Sequence, residues 1–294
     1  MRPLPFLEKL VDRIERAESL DAVADPVVAG ARKVVRPGVV EDTLSGTPLG
    51  HPLHPLLVAV PIGAWVSSVA LDAVHNDDGA RRLIGFGCLA ALPAAAAGVN
   101  DWSTTMGAER RVGLVHAALN DAALTVYWLS WRARRRGDRG RGVALSLIGS
   151  GLLGAAGWLG GHLAYAQAVG VDTTAFQQVP SDWTDAGAEA DVPADGVTQF
   201  VADGIPLLVT RRDGELVAML DRCTHRGGPL SDGEVRGDCV VCPWHGSEFS
   251  LADGSVRSGP ATRPQPILEA RVRAGRVEVR RTEPRVLRTN PVGR

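Results

Sequence analysis

Two thiols and two imidazoles in the last third of the chain limit its folding more than any other feature. They come as Cys223-Thr-His225 and then Cys242-Pro-Trp-His245, with sixteen residues between His225 and Cys242. Each box offers one soft thiolate donor and one neutral imidazole donor. A fold that uses all four must therefore bring two loops face to face around a common centre. A zinc site is the competing reading, and Cys239-Val-Val-Cys242 has the spacing of a zinc knuckle. Zinc modules pair ligands of one knuckle, however, whereas here each box mixes one sulfur with one nitrogen. Cys239 lies in a Val-rich strand candidate and reads as a core thiol.

The surroundings of the boxes carry a family resemblance. The first reads Cys223-Thr-His-Arg-Gly-Gly-Pro-Leu230, the second Cys242-Pro-Trp-His-Gly-Ser-Glu-Phe249, and Ser258-Gly-Pro260-Ala follows. Over residues 176–283 this resembles the Rieske domain family, in which two Cys hold one iron of a [2Fe–2S] cluster and two His hold the other. The resemblance implies an all-β domain of antiparallel sheets. It places Cys223 and Cys242 on the inner iron and His225 and His245 on the outer one. It also implies that Ser247 hydrogen-bonds a bridging sulfide and that the Gly259-Pro260 loop shields the cluster.

Two departures from the respiratory members are informative. Those members join the boxes by a disulfide where this chain has Gly228 and Trp244, and they carry a sulfur-bonding Tyr where it has Phe249. Hydrogen bonds to cluster sulfurs raise the reduction potential. Their loss points to the lower part of the roughly −150 to +300 mV Rieske range, although Ser247 acts the other way. The resemblance is thus nearer to ferredoxin-type Rieske domains.

The chain has 294 residues, room for two domains, and a formal net charge of −1, which gives nucleic acid no attraction. Four Cys with two assigned to the boxes leave no disulfide framework. Four apolar runs fill the middle of the chain, at 53–71, 83–99, 112–131 and 143–171. Their lengths lie near the roughly 20 residues of a membrane-spanning helix. Trp102, Trp128, Trp131 and Tyr165 stand near their ends, where an aromatic belt would be. The expected architecture is an all-α four-helix transmembrane bundle over 49–171, preceded by an amphipathic helix and linker over 1–48. The Rieske domain at 176–283 and a disordered tail at 284–294 complete it.

Gly149-Ser-Gly151-Leu-Leu-Gly154 has the G-x-G-x-x-G spelling of a nucleotide loop but lies inside the fourth apolar run, so it is rejected as one. Small residues there let a neighbouring helix approach. Gly50-His51-Pro-Leu-His54-Pro55, with the four-run pattern, resembles a bacterial membrane domain family of unknown function. That resemblance implies a multi-pass location in the bacterial cell membrane, in contact with lipid.

Antiparallel spans bring His51, His54, Asp101, His116 and His162 to one face of the bundle and Asp72 and His75 to the other. Ionisable groups at membrane depth are functional candidates. One reading gives His116 and His162 to a b-type haem, or His51, His54 and Asp101 to a metal or quinone headgroup. The other makes them caps and interhelix hydrogen bonds. Arg81, Arg82, Arg132, Arg134, Arg135, Arg136, Arg139 and Arg141 crowd the 1–2 and 3–4 loops. The positive-inside rule puts those loops in the cytoplasm and the Rieske domain outside it, with the cytoplasmic side as the alternative.

A chain of this kind is expected to carry electrons singly between a quinol or reductase and an acceptor. A quinone- or haem-linked oxidoreductase and a redox sensor are the alternatives, and an oligomer is compatible with all three. An oxygenase needs a mononuclear iron on two His and a carboxylate. The residues after the second box contain no His, so the chain reads as a redox component and not as an oxygenase catalytic subunit.

Overall fold

The computed structural model describes residues 5–282, which leaves the expected tail at 284–294 outside the described residues. The described residues divide into two compact units, 5–171 with 258–262 and 172–257 with 263–282.

The first unit is helical. It contains α1 (Pro5–Glu15), α2 (Asp21–Val34), α3 (Val39–Ser45), α4 (Leu53–Ala73), α5 (Asp77–Ser103), α6 (Gly107–Arg135) and α7 (Arg139–Tyr165). Residues 5–48 thus hold three α-helices, where one amphipathic helix and a linker are expected. Helix α1 buries Val11 against Val112 and Leu159, and α2 buries Ala24 and Val28 beside Trp102. Polar contacts fix both, with Arg111 donating to Asp21 at 2.8 and 2.5 Å and Arg110 donating to Asp25 at 2.6 Å.

The four long helices match the four apolar runs, and three of them, α4, α5 and α7, are long and apolar enough to cross a membrane. Helix α6 is equally long, but His116, Asn120 and Asp121 interrupt its apolar run, and it falls short on hydropathy. Trp65, Ile84 and Tyr127 form the buried centre of the bundle. The rings of Trp65 and Tyr127 are stacked there, 4.3 Å apart and 7° from parallel. Nearer the ends of α4 and α6, Asp72 and Arg134 form a bidentate ion pair at 2.6 and 2.7 Å, with both side chains buried. Charge in such a place persists only when paired and hydrogen-bonded.

The second unit is built of antiparallel strands. One six-stranded sheet contains β1 (Thr184–Ala188), β2 (Val197–Ala202), β3 (Ile205–Arg212), β4 (Glu215–Leu220), β9 (Ile267–Arg273) and β10 (Arg276–Arg281), in the order β1-β10-β9-β4-β3-β2. A four-stranded sheet runs β5 (Glu234–Arg236), β6 (Cys239–Val241), β7 (Glu248–Ser250) and β8 (Val256–Ser258) in sequence order. Asp203-Gly204, Asp213-Gly214 and Ala274-Gly275 turn three of the hairpins, with φ positive at both residues of each pair. That is the turn whose twist suits paired strands. Phe200, Leu207, Val209, Leu220, Leu268 and Val277 belong to the core of the larger sheet.

Candidate metal centre

The first box occupies the connection from β4 to β5 and the second the turn from β6 to β7. Both fold in the same way. The Cys223 N–H donates to the Gly228 carbonyl at 2.9 Å, and the Gly227 N–H returns to the Cys223 carbonyl at 2.8 Å. In the second box the Cys242 N–H donates to Ser247 O at 2.9 Å, and Gly246 N–H to Cys242 O at 3.0 Å. Gly227 and Gly246 take left-handed φ of 77° and 75°, a conformation other residues reach only with strain. Each turn thereby aims its backbone N–H groups at its own sulfur. Those of His225 and Arg226 reach Cys223, and those of Trp244 and His245 reach Cys242.

The two boxes meet. A Cβ on Gly228 would lie 2.8 Å from Cγ of Trp244 and 3.2 Å from the Cys242 sulfur. The positions that respiratory members link by a disulfide are therefore neighbours here, filled by a glycine and an indole. The Cys223 and Cys242 thiols are both buried and hydrogen-bond each other. The bond from Cys223, with help from the backbone N–H groups, brings the Cys242 thiol down to about 7. The same bond and burial hold Cys223 well above the ordinary thiol value.

The imidazoles of His225 and His245 stand edge to face, centroids 5.1 Å apart. Burial first, and then the neighbouring imidazole of His245, push His225 down to about 3. Its ring is neutral with a lone pair to give, and its Nδ1 is buried with no hydrogen-bond partner among the described residues. Two sulfurs and an orphaned ring nitrogen beside a second imidazole fit a [2Fe–2S] cluster held by Cys223, Cys242, His225 and His245. Ser247 and Phe249 are fully buried beneath the second box. Gly259 and Pro260 are joined by a cis peptide bond and group with the helical unit.

Sequence reasoning missed Gln265. Its buried amide donates to Leu220 O at 2.6 Å and Arg222 O at 2.9 Å and accepts from Thr224 N–H at 3.2 Å. It thus braces the chain on both sides of Cys223. The signal available was its place in Pro264-Gln-Pro266, where the flanking prolines hold an extended backbone without donors. Asp221 is a second brace, accepting from Ser231 N–H at 2.6 Å and Gln199 Nε2 at 2.6 Å.

The candidates of the helical unit find separate partners. His162 Nε2 lies 3.0 Å from Glu15 Oε1, which also accepts from Gln167. His116 Nδ1 lies 2.8 Å from Ala156 O and its Nε2 3.1 Å from Asn120 Nδ2. His54 Nδ1 lies 2.8 Å from Ala94 O. Asp101 Oδ1 lies 3.4 Å from Asn100 Nδ2, and His51 is exposed.

Comparison with known proteins agrees with this geometry. Residues 182–274 match the family described as Rieske [2Fe-2S] domain, and residues 50–173 match that described as Predicted membrane protein (DUF2231). Ferredoxin CarAc of Metapseudomonas resinovorans is 39% identical over 74 residues, covering 25% of this chain and 69% of that protein. The anthranilate 1,2-dioxygenase ferredoxin subunit of Burkholderia cepacia is 34% identical over 99 residues, 34% of this chain and 92% of the relative. The ferredoxin component of a naphthalene 1,2-dioxygenase system from Pseudomonas aeruginosa is 31% identical over 80 residues, 27% and 77% respectively. With most of each small ferredoxin matched and all four candidate donors gathered between two sister turns, the chain belongs through its C-terminal part to the Rieske [2Fe-2S] domain family, joined to a predicted membrane domain.

Proposed function

We propose that this protein is a membrane-anchored electron carrier that takes one electron from a donor and passes it to a partner protein. The observation that carries the reading is the gradient across the site. The thiols of Cys223 and Cys242 are buried, whereas the imidazoles of His225 and His245 are only half-buried beside the exposed indole of Trp244. The bound cluster supplies one-electron chemistry. The chain's own contribution is to shield the sulfur end, to fix both turns with N–H···S bonds, and to offer the imidazole edge to a partner.

All three relatives named above are ferredoxins, and two of them are ferredoxin components of dioxygenases, which favours a reductase as donor and a protein acceptor. Quinol is the competing donor. The test is anaerobic mixing of the oxidised full-length protein in detergent with a flavin reductase and, separately, with a soluble quinol. Bleaching of the cluster absorbance by the reductase at a much higher rate supports a ferredoxin-like role. Fast bleaching by quinol alone contradicts it.

The Rieske unit is assigned to the side away from the arginine-rich loops. Arg134 and Arg139 are held by Asp72 and Asp77, but Arg82, Arg136 and Arg141 have no such ion pair among the described residues. On the other face Arg110 and Arg111 are paired with Asp25 and Asp21, and Arg36 donates to Lys33 O. Reporter fusions in the loop at 74–76 and after residue 282 check this assignment.

A further inference from the structure

The hairpin α4–α5 recurs as α6–α7, 62 residues later, the separation of the Asp72–Arg134 and Asp77–Arg139 ion pairs. The same offset relates the ends of α4 and α6 and both ends of α5 and α7. It relates the left-handed turn residues His75 and Gly137 and the helix caps Asn76 and Asp138, each accepting an N–H three residues on. Trp65 and Tyr127 are likewise equivalent, and each packs on a glycine of its own hairpin, Gly87 or Gly149.

A residue touches its own equivalent only where a twofold axis passes between them. Trp65–Tyr127 and Asp72–Arg134 between α4 and α6, and Asp77–Arg139 between the starts of α5 and α7, therefore trace an axis running along the bundle. Parallel repeats about an axis along the helices are a known plan for membrane domains.

The pair at the other end of that axis is His54 and His116, the same residue in both repeats. Each Nδ1 meets a carbonyl of the following helix at 2.8 Å, Ala94 in one repeat and Ala156 in the other. Each ring lies over a glycine, Gly98 or Gly160, where a Cβ would come within 2.8 or 3.0 Å of Cε1.

The tautomer follows from the donors. A carbonyl only accepts, so Nδ1 carries the proton in both rings and Nε2 carries the lone pair. Asn120 confirms this for His116. Its Nδ2 donates to the His116 carbonyl at 2.9 Å, which identifies that atom as nitrogen, and the same atom donates to Nε2 at 3.1 Å. The first repeat has Val58 at the matching position. A ring locked through Nδ1–H to a carbonyl, with Nε2 left basic, is the arrangement of metal-ligating histidines.

We propose that the helical unit is a duplicated hairpin whose axis carries a second metal site, with the Nε2 atoms of His54 and His116 as ligands to an imidazole-binding transition metal. Two imidazoles suit copper as a free ion or iron carried in a haem. On loading, the Asn120 amide gives up its bond to Nε2 and keeps the one to the His116 carbonyl. Identical residues persist here because a shared ion needs the same donor twice. At the opposite end of the axis the repeats have diverged into acid and base.

The test is metal analysis, acid-labile sulfide and absorption spectroscopy of purified full-length protein in detergent, from cells supplied with copper and a haem precursor. The expected result is metal beyond the two irons matched by sulfide, either copper or haem iron with its Soret band. Both His54→Gln and His116→Gln should lose that extra metal while retaining the cluster's electron-resonance signal. The swap Asp72→Arg with Arg134→Asp, at the far end of the same axis, should retain both. Iron fully matched by sulfide with no copper and no haem overturns the proposal. So does extra metal that survives in both histidine variants. The cluster signal is read in the same samples, so failure of this site is distinct from failure of the electron-carrier reading.

Discussion

Gly228 and Trp244 stand so close that a single carbon added to the glycine would lie 2.8 Å from the indole Cγ. The contact sits between the two ligand boxes and against the Cys242 sulfur, so it sets the separation of the loops. Gly228→Ala must push the indole outward or part the boxes. Overpacking of this kind costs about 1–3 kcal/mol. The thermal midpoint for loss of cluster absorbance should fall accordingly, while the helical signal of the first unit persists. An unchanged midpoint would show that Trp244 is free to swing away and that the contact sets nothing.

Gln265 holds three backbone groups around Cys223. Gln265→Leu keeps the volume but leaves two buried carbonyls and one N–H unpaired, at about 2–4 kcal/mol in total. Denaturant titration followed at the cluster absorbance should report that loss. Gln265→Glu, which keeps an acceptor for the Thr224 N–H but has no donor for the two carbonyls, should fall on the same side of wild type. A Leu variant as stable as wild type would remove Gln265 from the architecture of the site.

Asp72 and Arg134 form the buried ion pair of the bundle. Removing either partner leaves a charge without its complement, which costs about 3–5 kcal/mol. Asp72→Asn and Arg134→Met should therefore each lower the detergent-solubilised melting temperature sharply. The double change Asp72→Leu with Arg134→Met should recover most of it, because an apolar pair leaves no orphan charge. If the double variant is as damaged as the sum of the singles, the two side chains act independently and the pairing does not govern stability.

How much of this was legible depended on whether the signal was local. The two boxes could be read because each is a few residues long and mixes sulfur with nitrogen, and both fold into matching turns. The strands around 206–220 and 267–280 could be read because Asp-Gly and Ala-Gly turns punctuate them. Gln265 could not, since its partners are backbone atoms more than forty positions away. Helices α2 and α3 were obscured by Pro26 inside the first and the glycines bounding the second. The repeat was hidden because most equivalent positions had changed, Trp65 to Tyr127 and Asp72 to Arg134 among them. What survived unchanged, His54 with His116, Gly87 with Gly149, Ala94 with Ala156 and Gly98 with Gly160 among them, is too sparse to notice without the contacts.

The most direct measurement is electron resonance of the dithionite-reduced full-length protein, with iron and sulfide analysis, beside His225→Cys and Cys242→Ser. Two irons and two sulfides per chain, and a mixed histidine–cysteine cluster signal that both substitutions abolish while the helical unit still inserts, is the result this account predicts. Protein purified anaerobically without iron or sulfide, or a cluster signal unchanged by either substitution, would contradict it.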